Sequence, residues 1–220
     1  MSTITLTGLD ALMILKDRHR EVGQKIHSAC SGNYLPMDIF SVVALGRSLH
    51  HFDGFLHLLE KDNGQCAVIV LRAQLDTLLR YWAHSLFDDP HKFATDVLNG
   101  TQIRKMTDPC SPKNKLTDRY LNGEFGKLHD WIPELYDGCC SFAHFSNQHF
   151  WLLINQCGNL DPETGERDIT ITSKDQLSDE DRGKLIDAFG SVTKLLLELV
   201  KAWSRKKRNP EGIAIVEGAQ

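Results

Sequence analysis

Two charged residues interrupt one of the most apolar stretches of this sequence. Arg72 and Asp76 are four residues apart, so they lie on one face of a helix. Removing one partner of a buried ion pair costs about 3–5 kcal/mol, so a buried Arg72 needs an acceptor, and Asp76 is the nearest. Two interpretations stay open. In the functional one, Arg72 holds an anionic group that Asp76 orients; in the structural one, the pair only sets the helix register.

A phenol, a hydroxyl and an imidazole follow near the end of a later predicted helix. Tyr136 and His144 are about two turns apart, and Ser141 lies one turn before His144, so the three can share one stripe. They could perform acid–base or phosphate chemistry, with His144 as general acid or base, or be satisfied polar groups at a helix end. Because one carboxylate cannot accept all five donors of an arginine, we expect Tyr136 or His144 within hydrogen-bond distance of Arg72 or Asp76.

A third group consists of His50, Asp53 and His57, which project from one face of the second predicted helix. These side chains suit zinc, iron or manganese, and bundle interiors can hold such ions. The two histidines are about 10 Å apart along a helix, so one ion could take Asp53 with only one of them. We therefore predict no metal and no other cofactor, and keep a metal-binding bundle as an alternative.

Hydrophobic periodicity predicts a mainly α fold. It is a bundle of five to six up-and-down helices with one inserted β-hairpin. The third helix should be the central one, because its first half is apolar on every side. The hairpin is predicted from two strand-like segments that are separated by turn-forming residues. The expected helices cover residues 8–31, 36–62, 65–87, 90–99, 130–145 and 178–208, with a short one at 116–121 and the hairpin at about 150–172.

We expect residues 1–208 to form a single domain and residues 209–220 a C-terminal tail. The longest apolar run is far shorter than the roughly 20 residues of a membrane helix, so we expect a cytoplasmic protein with reduced cysteines. A net charge of −4 argues against nucleic-acid binding over the whole surface, but not at a local patch. The basic run at residues 205–208 could be such a patch or could complement the dipole of the last helix.

The region from about Arg47 to Phe150 resembles several uncharacterised bacterial helical families that look HEPN-like. The resemblance rests on an acidic residue four positions after Leu71-Arg72, on Tyr81-Trp82, and on a later Tyr, Ser and His. Arg20 and His27 have a spacing found in the Arg…His signature of HEPN ribonucleases, but on the first helix instead of a late one. Relatives in this broad group include phage-resistance and toxin–antitoxin proteins.

The resemblance implies a HEPN-like protein of bacterial or prophage defence type. It would bind a phosphate-bearing ligand or RNA at a polar cluster of Arg72, Asp76, Tyr136, Ser141 and His144. The main alternative is a non-enzymatic interaction module with a structural polar core, whose partner is another protein or a second copy in a homodimer. The sequence leaves open whether the protein is an enzyme.

Overall fold

The computed structural model of the protein describes residues 8–144, 146, 147, 149, 150, 161–166, 174 and 177–208. The chain is mainly α with a small two-stranded antiparallel hairpin, which confirms the predicted fold class. Single 3₁₀ turns follow α3 and α4. The labelled elements are α1 (Gly8–Cys30), α2 (Pro36–Glu60), α3 (Gly64–Trp82), α4 (Pro90–Leu98), β1 (Thr107–Asp108), β2 (Ser111–Lys115), α5 (Asp118–Gly126), α6 (Trp131–Ala143) and α7 (Asp179–Arg208).

The predicted tight turn between α2 and α3 is confirmed, and its polar residues explain its geometry. The Asn63 side chain accepts a hydrogen bond from the Cys66 backbone N–H at 3.1 Å and so caps α3. Asp62, in the left-handed region at φ 54°, reverses the chain before the cap. Arg182 of α7 then holds the turn by donating to the Leu59 carbonyl at 2.9 Å and to the Asp62 carboxylate at 2.5 Å.

Side-chain contacts establish the direction of the long helices. Lys16 of α1 bonds Asp53 of α2 at 2.6 Å, while His19 bonds Ser48 at 2.8 Å, so these two helices are antiparallel. The turn makes α3 antiparallel to α2. Along α7, Thr193 accepts from Gln74 of α3, and Trp203 packs against His84 just after α3, so α7 runs parallel to α3. The bundle therefore places α2 antiparallel to α1, α3 and α7.

Helix α3 is the central helix, since it packs against α2, α5, α6 and α7. The expectation that its first half is buried on every side is wrong. Cys66 is exposed and Ile69 is 46% exposed, whereas Ala67 and Leu71 are buried. Deep burial begins at Leu71 and continues to Trp82 on most positions. The first half of α3 therefore keeps one exposed face, on which Cys66 and Ile69 lie.

The hairpin in the described residues differs in place from the predicted one. Strands β1 and β2 pair Thr107 with Lys115 and Asp108 with Ser111. The predicted hairpin at 150–172 falls almost entirely outside the described residues. Phe150 is helical, and residues 161–166 form a turn in which the Asp161 carbonyl accepts from the Gly165 N–H at 2.9 Å. The turn chemistry expected at that hairpin's tip is thus present.

Two further observations bear on the environment of the chain. In the part that the structure describes, no helix is long and apolar enough to cross a membrane. The five cysteines in that part form no disulfide bonds with one another: Cys30, Cys66, Cys110, Cys139 and Cys140.

Candidate functional site

The Arg72–Asp76 pair forms as predicted within α3. Arg72 Nη1 donates to Asp76 Oδ1 across one helical turn. The side chains are 12% and 20% exposed, respectively, so the pair is mostly but not completely buried. Solvent therefore still reaches part of the carboxylate, which matters for what else Asp76 can bind.

Helix α6 faces α3 at this pair, as predicted, and supplies two residues to Arg72. Tyr136 covers the guanidinium with its ring, whose centroid lies 3.9 Å from Arg72 Cζ. Cys140, one turn further along α6, accepts from Arg72 Nε through its sulfur at 3.3 Å. Tyr136 thus contributes its aromatic face through a cation–π contact, and not the hydroxyl hydrogen bond that the sequence suggested.

Ser141 and His144 do not join this cluster, contrary to expectation. Ser141 Oγ donates to the Gly138 carbonyl of its own helix at 2.6 Å. His144 ends α6 in an extended conformation at φ −111° and is exposed. The physical reason is helical rotation, since Ser141 lies about 100° around the axis from Cys140. The extended backbone at His144 then takes its side chain off the stripe that Tyr136 occupies.

Burial and charge shift the pKa values of the groups around Arg72. Burial acts to lower the pKa of Arg72, but hydrogen bonds from its guanidinium to Asp76 and Cys140 outweigh burial, so the pKa is raised. Burial raises the pKa of Tyr136 to about 12, against the opposing influence of the Arg72 charge. Burial likewise raises the pKa of Cys139 to about 12. The cluster therefore holds a permanent cation beside a neutral phenol at neutral pH.

A chain of charges extends the pair towards α5. Arg80 Nη2 lies 4.0 Å from Asp76 Oδ2, and it donates to both oxygens of Asp118, at 2.8 and 3.0 Å. Neither Arg80 nor Asp118 was predicted from the sequence. The four-residue spacing from Asp76 to Arg80 was a usable signal, because it matches that from Arg72 to Asp76. No local signal identifies Asp118, which begins a short helix after the hairpin.

Two adjoining cavities open beside this chain of charges, and we call them together the arginine groove. The first has a volume of about 190 Å³ and is bordered by Arg47, Asp76 and apolar side chains. The second, of about 470 Å³, is bordered by Arg104 and Asp118. Arg80 and Ile103 line both cavities and form their common wall.

Arg47 and Arg104 add positive charge at the two ends of the arginine groove. Arg47 Nε donates to the Thr77 hydroxyl at 3.0 Å, and Arg104 Nε donates to the Gln102 amide oxygen at 3.1 Å. Both acceptors are neutral. Within the described part of the chain neither arginine forms an ion pair, so the terminal guanidinium nitrogens of both can bind an anion.

The metal alternative on α2 is not supported by the geometry. Asp53 bonds Lys16 at 2.6 Å, and His57 lies 3.8 Å from Glu60, both at the surface. No three His, Cys, Asp or Glu residues among those described are gathered around a common point that an ion could occupy. Of the Arg20 and His27 pair on α1, Arg20 is exposed and His27 bonds Tyr34 at 2.6 Å.

A buried polar network in the bundle centre was also missed. Gln74 Nε2 donates to Ser48 Oγ at 2.7 Å and to Thr193 Oγ1 at 3.1 Å, and its oxygen accepts from His51 at 3.0 Å. His19 binds the other side of Ser48 at 2.8 Å. These residues occupy core-facing positions of four helices, so the signal was polar side chains in the apolar stripes. The network is closed inside the bundle and supports the fold.

Comparisons with protein-family models, with curated proteins and with solved structures found no match to this chain.

Proposed function

We propose that this protein binds a phosphate-bearing ligand in the arginine groove. The observation that carries the proposal is that Arg104 and Arg80 border the same cavity of about 470 Å³, while the partner of Arg104 among the described residues is the neutral Gln102. A guanidinium with open donors at a concave surface suits phosphate, which it can bind through two parallel hydrogen bonds. The volume lies within the usual range of about 300–1,000 Å³ for small-molecule sites.

In this proposal the anion binds in the arginine groove and not at Arg72. The Arg72 guanidinium already donates to Asp76 and Cys140, and the Tyr136 ring covers one of its faces. Its remaining surface is small, because the side chain is only 12% exposed. Arg72 is then a positioning residue, which holds Asp76 at the edge of the groove.

The resemblance to HEPN-like families suggests a role in bacterial or prophage defence. A phosphate-bearing ligand in that setting is either RNA or a free nucleotide, and both present the same phosphate chemistry to Arg104 and Arg80. Two carboxylates, Asp76 and Asp118, also border the groove. They oppose a long polyanion more than a single phosphate, so the charges favour the smaller ligand.

The proposal is tested by binding measurements on one matched pair of variants. Arg104→Gln should weaken binding of AMP and of a short single-stranded RNA by about 10- to 100-fold, the value of a hydrogen bond to a charged group. Arg20→Gln removes an arginine from α1 that is also exposed, and should leave binding unchanged. Equal affinities of the two variants, or no binding by the wild type, would refute the proposal.

A second candidate function, protein binding, is favoured by one observation. The N-terminal part of α2 and the turn before it expose neighbouring large apolar side chains. These are Tyr34, Leu35, Ile39, Val42 and Val43, which are 38–57% exposed. Such a patch is typical of an interface, and a second copy of the chain would make a homodimer. Light scattering on the wild type and on Ile39→Lys tests this, since a homodimer through α2 should become monomeric.

A further inference from the structure

Resting on the proposed function, we propose that the ligand is a nucleoside phosphate. The nucleobase would occupy the smaller, apolar cavity of the arginine groove, and the phosphate would bind Arg104 and Arg80 in the larger one. The two cavities share Arg80 and Ile103 as a wall, so one ligand can extend across both.

The smaller cavity suits a flat, mostly apolar ring. Its sides include Phe40, Val43 and Ile103, and it has a volume of about 190 Å³. Phe40 is held in place by Tyr81, stacked at 5.8 Å between ring centroids, and by Phe93 in an edge contact at 5.8 Å. A wall fixed by two aromatic neighbours is preorganised, so binding a base against it requires little ordering of side chains.

One polar acceptor in the smaller cavity can recognise a base N–H group. Asp76 Oδ1 accepts from Arg72, whereas Asp76 Oδ2 lies 4.0 Å from Arg80 Nη2, beyond hydrogen-bond distance. Within the described part of the chain no donor reaches Oδ2. A carboxylate oxygen that borders a cavity in this state can accept from a ring or amino N–H, which every common nucleobase presents.

The larger cavity has a more polar lining than the smaller one. Besides Arg80 and Arg104 it is lined by Thr101 and Gln102, whose side chains can bond ribose hydroxyls or phosphate oxygens. An apolar slot next to a site with two arginines matches the division of a nucleotide into base and phosphate. A sugar phosphate or inorganic phosphate would leave the apolar slot empty.

The test uses two neighbouring exposed valines, of which one borders the smaller cavity and the other does not. Val43 borders the smaller cavity and is 57% exposed, whereas Val42 does not border it and is 44% exposed. Val43→Glu places a carboxylate at the mouth of the slot, next to Asp76. Both variants should fold like the wild type, since both positions are on the surface, and thermal melting followed by circular dichroism checks this.

Isothermal titration calorimetry is run on wild type, Val43→Glu and Val42→Glu, with AMP, GMP, CMP and UMP as nucleotides and ribose 5-phosphate as the probe without a base. We expect at least one nucleotide to bind the wild type about tenfold or more tighter than ribose 5-phosphate. Val43→Glu should lose that advantage, and Val42→Glu should keep it.

The binding data distinguish a failure of the nucleobase slot from a failure of the phosphate site. If ribose 5-phosphate binds as tightly as every nucleotide, and Arg104→Gln weakens both, the nucleobase slot is overturned while the phosphate site stands. If Val43→Glu and Val42→Glu weaken nucleotide binding equally, the slot is also overturned. If no phosphate-bearing probe binds the wild type, the proposed function itself fails, and the slot with it.

Discussion

The Arg72–Asp76 pair makes a quantitative prediction about stability that a double-mutant cycle can measure. The variants are Arg72→Met, Asp76→Leu and the double variant, each of which replaces a charge with an apolar side chain of similar length. An exposed pair with the same spacing, Lys92 and Asp96 on α4, serves as a matched control, because its side chains are 71% and 44% exposed against 12% and 20%.

The magnitude follows from the contacts of Arg72. Arg72→Met removes a hydrogen bond between charged groups, worth about 1.5–3 kcal/mol, and a cation–π contact with Tyr136, worth about 0.5–2 kcal/mol. Arg80 lies 4.0 Å from Asp76 and can move to bond it, which recovers part of the loss. We therefore expect a net loss of about 2–3 kcal/mol, below the roughly 3–5 kcal/mol of a fully buried broken pair.

The assay is urea denaturation of all variants at neutral pH. The coupling energy between Arg72 and Asp76 should be about 1.5–3 kcal/mol, because the two side chains share one hydrogen-bonded contact in a partly dry site. The coupling between Lys92 and Asp96 should be only about 0.3–0.5 kcal/mol. Equal coupling energies in the two cycles would refute the view that burial by α6 strengthens the Arg72 pair.

Three further predictions concern the bundle. Burial lowers the pKa of three histidines below their ordinary value of 6.5. Below about pH 6.5 the unfolded chain therefore binds more protons than the folded protein, and the free energy of unfolding should fall as the pH drops. These histidines are His19, His51 and His84. Urea denaturation as a function of pH measures the loss, and a stability that rises on acidification to about pH 5.5 would contradict it. Gln74→Leu breaks two buried hydrogen bonds and one partly buried one, and should cost about 3 kcal/mol by urea denaturation. A loss below about 1 kcal/mol would show the network to be dispensable. Gly126→Ala would place a Cβ 2.5 Å from Pro133 Cγ and should destabilise the protein by about 1–3 kcal/mol. On the same helix, the Cβ of Gly123→Ala would meet no described atom within 4 Å, so this variant should stabilise the protein by about 0.5–1 kcal/mol. Melting temperatures of the two variants measure both effects.

Local signals in the sequence predicted much of the fold. Pro36 begins α2 and Pro90 begins α4, both at the predicted positions, and Asn63 lies in the predicted turn between α2 and α3, although α3 already begins at Gly64. The two prolines act through their own backbone geometry, and Asn63 acts through a side-chain cap three residues along the chain, so no distant contact is needed to predict them. The β1–β2 hairpin was missed for the converse reason. Its second strand, Ser-Pro-Lys-Asn-Lys at Ser111–Lys115, is polar and mostly exposed, so it has no apolar alternation to detect.

For the candidate site, the sequence by itself determined the Arg72–Asp76 pair, because a four-residue spacing on a helix brings two side chains together whatever surrounds them. Only the tertiary structure decided which residues surround the pair. The Tyr136 ring and the Cys140 sulfur both contact Arg72, because α6 is rotated so that the side of the helix with these two residues faces α3. That rotation depends on packing along the whole helix. Arg104, on a turn beyond α4, reaches the groove only through such long-range packing, which no local spacing encodes.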